Sequence, residues 1–101
     1  MKYDLKLIET FIYVAQLKSF IRTAETLKIA KSHVTSRINQ LEKITGMTLL
    51  ARTTRDVNLT NEGLEFLDYC KDIMERVDSL DDFLQQKNYR WRIENRTTTI
   101  F

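Results

Sequence analysis

Small hydroxyl and amide side chains recur between residues 31 and 45 at a spacing that puts them on one side of a helix. At 100° per residue, Val34, Ile38 and Leu41 form an apolar stripe. The opposite side carries Ser32, Ser36, Asn39, Gln40 and Lys43, with His33 and Thr35 at its edges. Hydrogen-bonding groups of this length suit base edges in the major groove of DNA, which is wide enough to admit a helix. A solvated polar surface is the alternative that this helix alone leaves open.

Cations surround this polar face in the sequence. The four nearest are Arg22, Lys28, Lys31 and Arg37. Lys and Arg at the border of such a face suit contact with DNA phosphates, which fix position without specifying sequence. The pattern therefore predicts backbone contacts by these four cations and base contacts by the outward polar face, which includes Ser32, Ser36 and Asn39.

Three helices of suitable length precede position 46. Amphipathic spacing predicts them over residues 4–17, 20–27 and 31–45. The apolar stripe expected on the first helix is Leu5, Ile8, Phe11, Ile12 and Ala15. Ser19 is a suitable N-cap for the second helix, and Gly46 a suitable C-cap for the third.

Two short alternating segments follow, at residues 49–52 and 56–59, and predict a β-hairpin that carries Arg52 and Arg55. Thr60 then caps a long fourth helix. The predicted fold is mainly α, a winged helix-turn-helix with three helices and a small β-hairpin wing, followed by a long dimerisation helix.

Apolar residues in the fourth helix recur at spacings of four and three, as in a coiled-coil seam. They are Phe66, Cys70, Ile73, Val77, Leu80 and Leu84. In an isolated chain such a stripe faces water, which usually marks an interface. We expect these residues to form a dimer interface, with folding back onto the same chain as the alternative.

Charge divides the 101 residues into three segments. Residues 1–59, the predicted DNA-binding domain, carry ten Lys and Arg against five Asp and Glu, whereas residues 60–87, the linker and dimerisation helix, carry three against eight. Residues 88–101 form a short basic tail. The basic first segment favours a polyanionic partner. No apolar run is long enough for a membrane span, and a cytoplasmic location is expected.

The stretch from Leu5 to about Leu80 resembles the N-terminal DNA-binding domain of LysR-type transcriptional regulators. The matching segments are SFIRTAETL at 19–27 and RTTRDVNLTNEG at 52–63, together with Val34, Thr35, Ile38, Leu41, Glu42 and Gly46. The resemblance implies base contacts by Lys31, Ser32, Thr35 and Ser36. It also implies wing contacts to the DNA backbone or minor groove by Arg52, Thr53 and Arg55, and an antiparallel pairing of linker helices. Family members often have Ser-Gln-Pro where this chain has Ala30-Lys31-Ser32, and Ser-Arg where it has Thr35-Ser36. The missing arginine, partly replaced by Arg37, leaves the operator sequence open.

The resulting hypothesis is a homodimeric regulator that binds double-stranded DNA at an interrupted inverted repeat. The family's effector-binding domain is expected to be absent, and with it any small-molecule inducer. One alternative is an interaction protein that forms heterodimers with full-length relatives, and another is a domain excised from a longer regulator. His33 is the only histidine and Cys70 the only cysteine, so we expect no enzyme, no cofactor and no metal site.

Overall fold

The computed structural model describes residues 4–53 and 55–94, with the side chains of the last helix through Lys87. Its elements are α1 (Leu5–Leu17), α2 (Phe20–Leu27), α3 (Lys31–Thr45), β1 (Leu50–Arg52), β2 (Val57–Leu59) and α4 (Asn61–Glu94). The fold prediction of a mainly helical winged helix-turn-helix followed by a long helix is confirmed. The fourth helix continues past its predicted end at Lys87, and the rest of the predicted tail, beyond Glu94, lies outside the described residues.

Local hydrogen bonds explain where the short helices begin and end. The Ser19 hydroxyl accepts from the Arg22 N–H at 3.0 Å at the start of α2, as predicted. Gly46 ends α3 in the left-handed region, with φ 71°, which a glycine adopts without steric cost. Ala30, which precedes α3, has only a methyl side chain and gives that helix no side-chain cap.

The core lies between α1, α2 and α3, which pack on one another. Phe11 and Val14 from α1 meet Val34, Ile38 and Leu41 from α3, and all five are fully buried. The predicted stripe of α1 was partly wrong, because Leu5 is 41% exposed whereas Leu7 and Val14 are buried. Residues 7, 8, 11 and 14 share the face that the other two helices cover, and position 5 lies at its edge.

The wing, defined as β1, β2 and the turn between them, is an antiparallel hairpin that pairs Leu50 with Leu59 and Arg52 with Val57. Its turn needs no glycine, because the Thr53 hydroxyl accepts from the Asp56 N–H at 2.9 Å and replaces a backbone partner. The predicted cap by Thr60 is also present, since its hydroxyl accepts from the Gly63 N–H at 2.9 Å.

Gly63 is needed at the start of α4 because that part of the helix lies directly against the backbone of Leu49, just before β1. A Cβ at this position would collide with the carbonyl oxygen of Leu49. Thr60 holds the same junction, donating from its hydroxyl to the Thr48 carbonyl at 2.6 Å. The wing is therefore fixed between the end of α3 and the beginning of α4.

The chain divides into two units after Lys71. In the first unit, the early turns of α4 belong to the core: Cys70 is 1% exposed, and the Phe66 ring lies 5.6 Å from that of Phe11. A single chain thus already buries Cys70, so its burial needs no second copy. Of the predicted stripe, the side chains described as exposed begin at Ile73.

The second unit is described as a single helix to Glu94. Among its side chains described through Lys87, four large apolar ones are exposed: Ile73 (36%), Leu80 (54%), Phe83 (53%) and Leu84 (44%). Val77 lies among them in sequence and is half-buried. No helix in the described part of the chain combines the length and the apolar character that crossing a membrane requires.

Candidate nucleic-acid interface

The polar face predicted on the third helix is present and faces outward. Lys31, Ser32, Ser36 and Asn39 are exposed on α3, opposite the buried stripe. Because Ala30 offers no side-chain oxygen, the N–H groups of the first turn are not capped by it and suit an anion near this helix end. The surface combines hydroxyl, amide and cationic groups on a rigid element.

Two other residues of α3 that were predicted to contact DNA form hydrogen bonds within the protein. Thr35 is half-buried, and its hydroxyl donates to the Lys31 carbonyl at 3.2 Å. Arg37 is also half-buried, and its guanidinium donates to the Thr10 hydroxyl at 3.2 Å, on the side of α1. Thr35 therefore offers a ligand mainly its methyl group and an accepting oxygen, and Arg37 borders the face from its α1 side.

Arg52, predicted to contact the DNA backbone, makes three interactions inside the protein. One guanidinium nitrogen donates to the Glu42 carboxylate at 2.7 Å, and the other donates to the Asn39 amide oxygen at 3.2 Å. The guanidinium carbon also lies 5.1 Å from the centre of the Phe20 ring, at cation–π distance. Arg52 thus ties the wing to α2 and α3, and the amide oxygen of Asn39 is already in use.

Glu42 is the residue that sequence reasoning missed at this junction. One carboxylate oxygen pairs with Arg52, while the other accepts from the backbone N–H groups of Leu49 and Leu50, at 2.8 and 3.2 Å. These bonds fix the entry of β1 relative to α3. The Leu-Glu pair at 41–42 was visible as part of the family pattern, but nothing in the local sequence indicates that its carboxylate holds the wing.

Among the predicted wing contacts, Arg55 presents its side chain most freely. Its side chain is exposed, at the turn between the two strands. Thr53 is exposed too, but its hydroxyl accepts from the N–H groups of Arg55 and Asp56. The structure therefore gives Thr53 a role in shaping the turn and leaves Arg55 as the cation at the wing tip.

A groove with a volume of about 350 Å³, here called the basic groove, lies between α2, α3 and the wing. It is lined by Lys18, Ser19, Phe20, Ile21, Lys31, Thr35, Arg52, Thr53, Arg55 and Val57. Among these described lining residues, four are cations and none is acidic. Lys31, Thr35 and the wing arginines were predicted contacts, whereas Lys18 was missed because it lies in the turn between α1 and α2.

The remaining predicted cations, Arg22 and Lys28, are exposed on and just after α2. The Arg22 backbone N–H donates to the Ser19 hydroxyl, and the Arg22 side chain takes no part in this cap. Lys28 ends α2 in the left-handed conformation, with φ 58°. Together these residues extend the positive border of the α3 face on its α2 side.

Comparisons with known proteins all point to one family. The family of bacterial regulatory helix-turn-helix proteins of the lysR type matches residues 5–64. An HTH-type transcriptional repressor of Pseudomonas aeruginosa is 38% identical over 76 residues, which cover 75% of this chain and 24% of that protein. The transcriptional activator AllS of Salmonella typhimurium is 41% identical over 86 residues, which cover 85% of this chain and 28% of that protein. The chain thus spans about a quarter of the length of these relatives.

Solved structures agree with this result. The BenM DBD in its complex with catB site 1 DNA is 30% identical, with a TM-score of 0.79 over 83% of this chain and 93% of that one. Oxidised OxyR of Corynebacterium glutamicum is 27% identical, with a TM-score of 0.82 over 86% of this chain and 27% of that one. With a family match over more than half of its residues, the chain belongs to the lysR family of bacterial regulatory helix-turn-helix proteins.

Proposed function

We propose that this chain binds double-stranded DNA in a sequence-specific manner and regulates transcription, with α3 in the major groove and the wing along the backbone. The observation that carries the proposal is the outward face of α3, where Ser32 and Ser36 are exposed directly opposite a fully buried stripe. Hydroxyl groups at this position can accept from and donate to base edges. The BenM DBD complex supports the same use of this fold.

Within this interface, the groups divide into two roles. Lys31, Ser32 and Ser36 contact bases, and Asn39 does so through its amide nitrogen, because its oxygen already accepts from Arg52. Thr35 contributes its methyl group, which suits the methyl of thymine. The phosphate contacts come from Arg22, Lys28, Arg37 and Arg55, whereas Arg52 and Thr53 act mainly by holding the wing in place.

The chain acts as a homodimer through the exposed apolar side of α4. Ile73, Leu80 and Leu84 are each more than a third exposed, and an apolar row of this kind is usually covered in the functional state. A two-fold dimer presents two α3 helices, which requires two half-sites in inverted orientation, one or more helical turns apart. A protein that works on the bacterial chromosome acts in the cytoplasm.

The direction of regulation does not follow from the similarity. One relative is named a repressor and another an activator, at 38% and 41% identity. The proposal therefore concerns binding to an operator, with the regulatory outcome set by where that operator lies.

Selection of bound duplexes from a random DNA pool tests the proposal. We expect enrichment of sites with two inverted half-sites of shared sequence. Enrichment of a single half-site would contradict the dimer and keep the DNA-binding part. Absence of any enriched sequence, with protein shown to be folded, would contradict sequence-specific binding by α3.

A further inference from the structure

Lys18 occupies a backbone position that favours glycine. It follows α1 with φ 52° and ψ 37°, in the left-handed region, and its N–H donates to the Val14 carbonyl at 2.8 Å. A side chain with a Cβ is disfavoured there, whereas glycine is not. The same fold ends α3 with a glycine, Gly46, in this conformation, and ends α2 with a second lysine, Lys28. The backbone alone therefore gives no reason for a lysine at position 18.

The side chain of Lys18 lines the basic groove, and this supplies the missing reason. The groove brings Lys18 together with Lys31 and Arg55, from two other parts of the fold. All three are exposed, and within the described residues the single ion pair found, between Arg52 and Glu42, involves none of them. These three positive charges repel one another, and an anion bound between them would offset that repulsion.

The groove also has an apolar part. Phe20 and Ile21 form one side of it and Val57 contributes from the wing, and Ile21 is 57% exposed. A surface that combines cations with apolar groups matches a sugar-phosphate strand, whose phosphates are charged and whose deoxyribose carbons are not. The groove lies between α3 and the wing. If α3 enters the major groove and the wing lies on the far side of the DNA backbone, one DNA strand must pass between these two elements.

We propose that the basic groove holds one sugar-phosphate strand of the bound duplex, and that Lys18 makes a phosphate contact there, in the groove that Arg55 also lines. This inference rests on the proposed function and adds a contact residue to it. The contact is independent of base sequence, because a phosphate is the same at every step. It extends the interface from the helix-turn-helix to the turn between α1 and α2.

The experiment compares salt-dependent binding of a random-sequence duplex by wild type and by Lys18→Gly. Loss of one phosphate contact lowers the slope of log affinity against log salt by about 0.9, which corresponds to roughly 8-fold weaker binding at 0.1 M salt. Lys18→Arg, which keeps the cation in the same backbone position, should restore the wild-type slope. Lys71→Gln serves as a matched control, since it removes one exposed lysine from α4, outside the groove, and should leave the slope unchanged.

Three outcomes separate the claims. A wild-type slope for Lys18→Gly overturns the contact at Lys18 while DNA binding by wild type still supports the proposed function. Weaker binding at an unchanged slope also overturns it, because the effect is then not ionic. Absence of salt-dependent binding by wild type contradicts the proposed function itself. Should Lys18→Gly unfold, Lys18→Asn gives the same test, because asparagine tolerates the left-handed region.

Discussion

Replacing Glu42 with alanine removes three hydrogen bonds at the junction between α3 and the wing. The carboxylate pairs with Arg52 at 2.7 Å and accepts from the N–H groups of Leu49 and Leu50 at 2.8 and 3.2 Å. Leu49 is fully buried, so removing the carboxylate takes a hydrogen-bond acceptor away from a buried N–H. The Glu42→Ala variant therefore leaves a buried donor unpaired and a guanidinium without its counter-ion.

The structure sets the size of the effect. An unpaired buried donor costs about 1–3 kcal/mol. The ion pair is partly solvated, with the side chains of Glu42 and Arg52 18% and 30% exposed, and adds about 0.5–1 kcal/mol. We expect Glu42→Ala to lower the free energy of unfolding by roughly 2–4 kcal/mol. Glu42→Gln keeps an accepting oxygen for the backbone and loses only the charge, so its cost should be about 1 kcal/mol.

Urea unfolding, monitored by circular dichroism, measures both variants. All proteins must be compared at one concentration, because the stability of a dimer depends on it. Glu25→Gln, an exposed change on α2, is the matched control and should stay within about 0.5 kcal/mol of wild type. A Glu42→Ala variant as stable as this control would refute the role of Glu42. Equal losses in Glu42→Ala and Glu42→Gln would show that the ion pair matters and the backbone bonds do not.

Three further predictions concern the wing tip, the long helix and the buried thiol. Arg55→Ala should weaken binding to operator and random DNA alike and lower the salt slope by about 0.9, measured by fluorescence anisotropy; an unchanged slope contradicts a phosphate contact. Val77→Glu together with Leu80→Glu should give monomers in sedimentation velocity, and a dimer that persists contradicts the interface on α4. Burial raises the pKa of the Cys70 thiol from 9.0 to about 11. As the pH rises, the thiol therefore ionises first in the unfolded chain. The free energy of unfolding should fall by roughly 3 kcal/mol between pH 9 and 11, from its full value below pH 9. Cys70→Ala should lack this part of the pH dependence.

Sequence reasoning succeeded where the signals are local. The boundaries of α2 and α3 followed from Ser19 and Gly46, because a cap acts on the backbone within a few residues of itself. The buried stripe of α3 followed from the helical period, since Val34, Ile38 and Leu41 share one face. The turn of the wing was predicted without a glycine, and the Thr53 hydroxyl explains why none is required.

It failed where a residue's surroundings come from distant parts of the chain. The spacing of apolar residues in α4 shows which face is apolar, but it does not show that Cys70 is covered by the chain's own core and Leu80 is not. The charge of Arg52 suggested phosphate, yet Glu42, ten residues away, takes up its guanidinium. Lys18 carries no local sequence signal, and only the fold brings it into the basic groove with Arg55.

The central claim, that α3 recognises bases through its hydroxyl groups, is tested most directly by one measurement. It is the ratio of affinities for a selected site and for random DNA, for wild type and for a variant that combines Ser32→Ala with Ser36→Ala. Uncharged side chains release no counterions, so the variant should keep the wild-type salt slope while losing about 1–3 kcal/mol of discrimination for each base contact. A double variant that keeps the full wild-type ratio would contradict base recognition by these two residues.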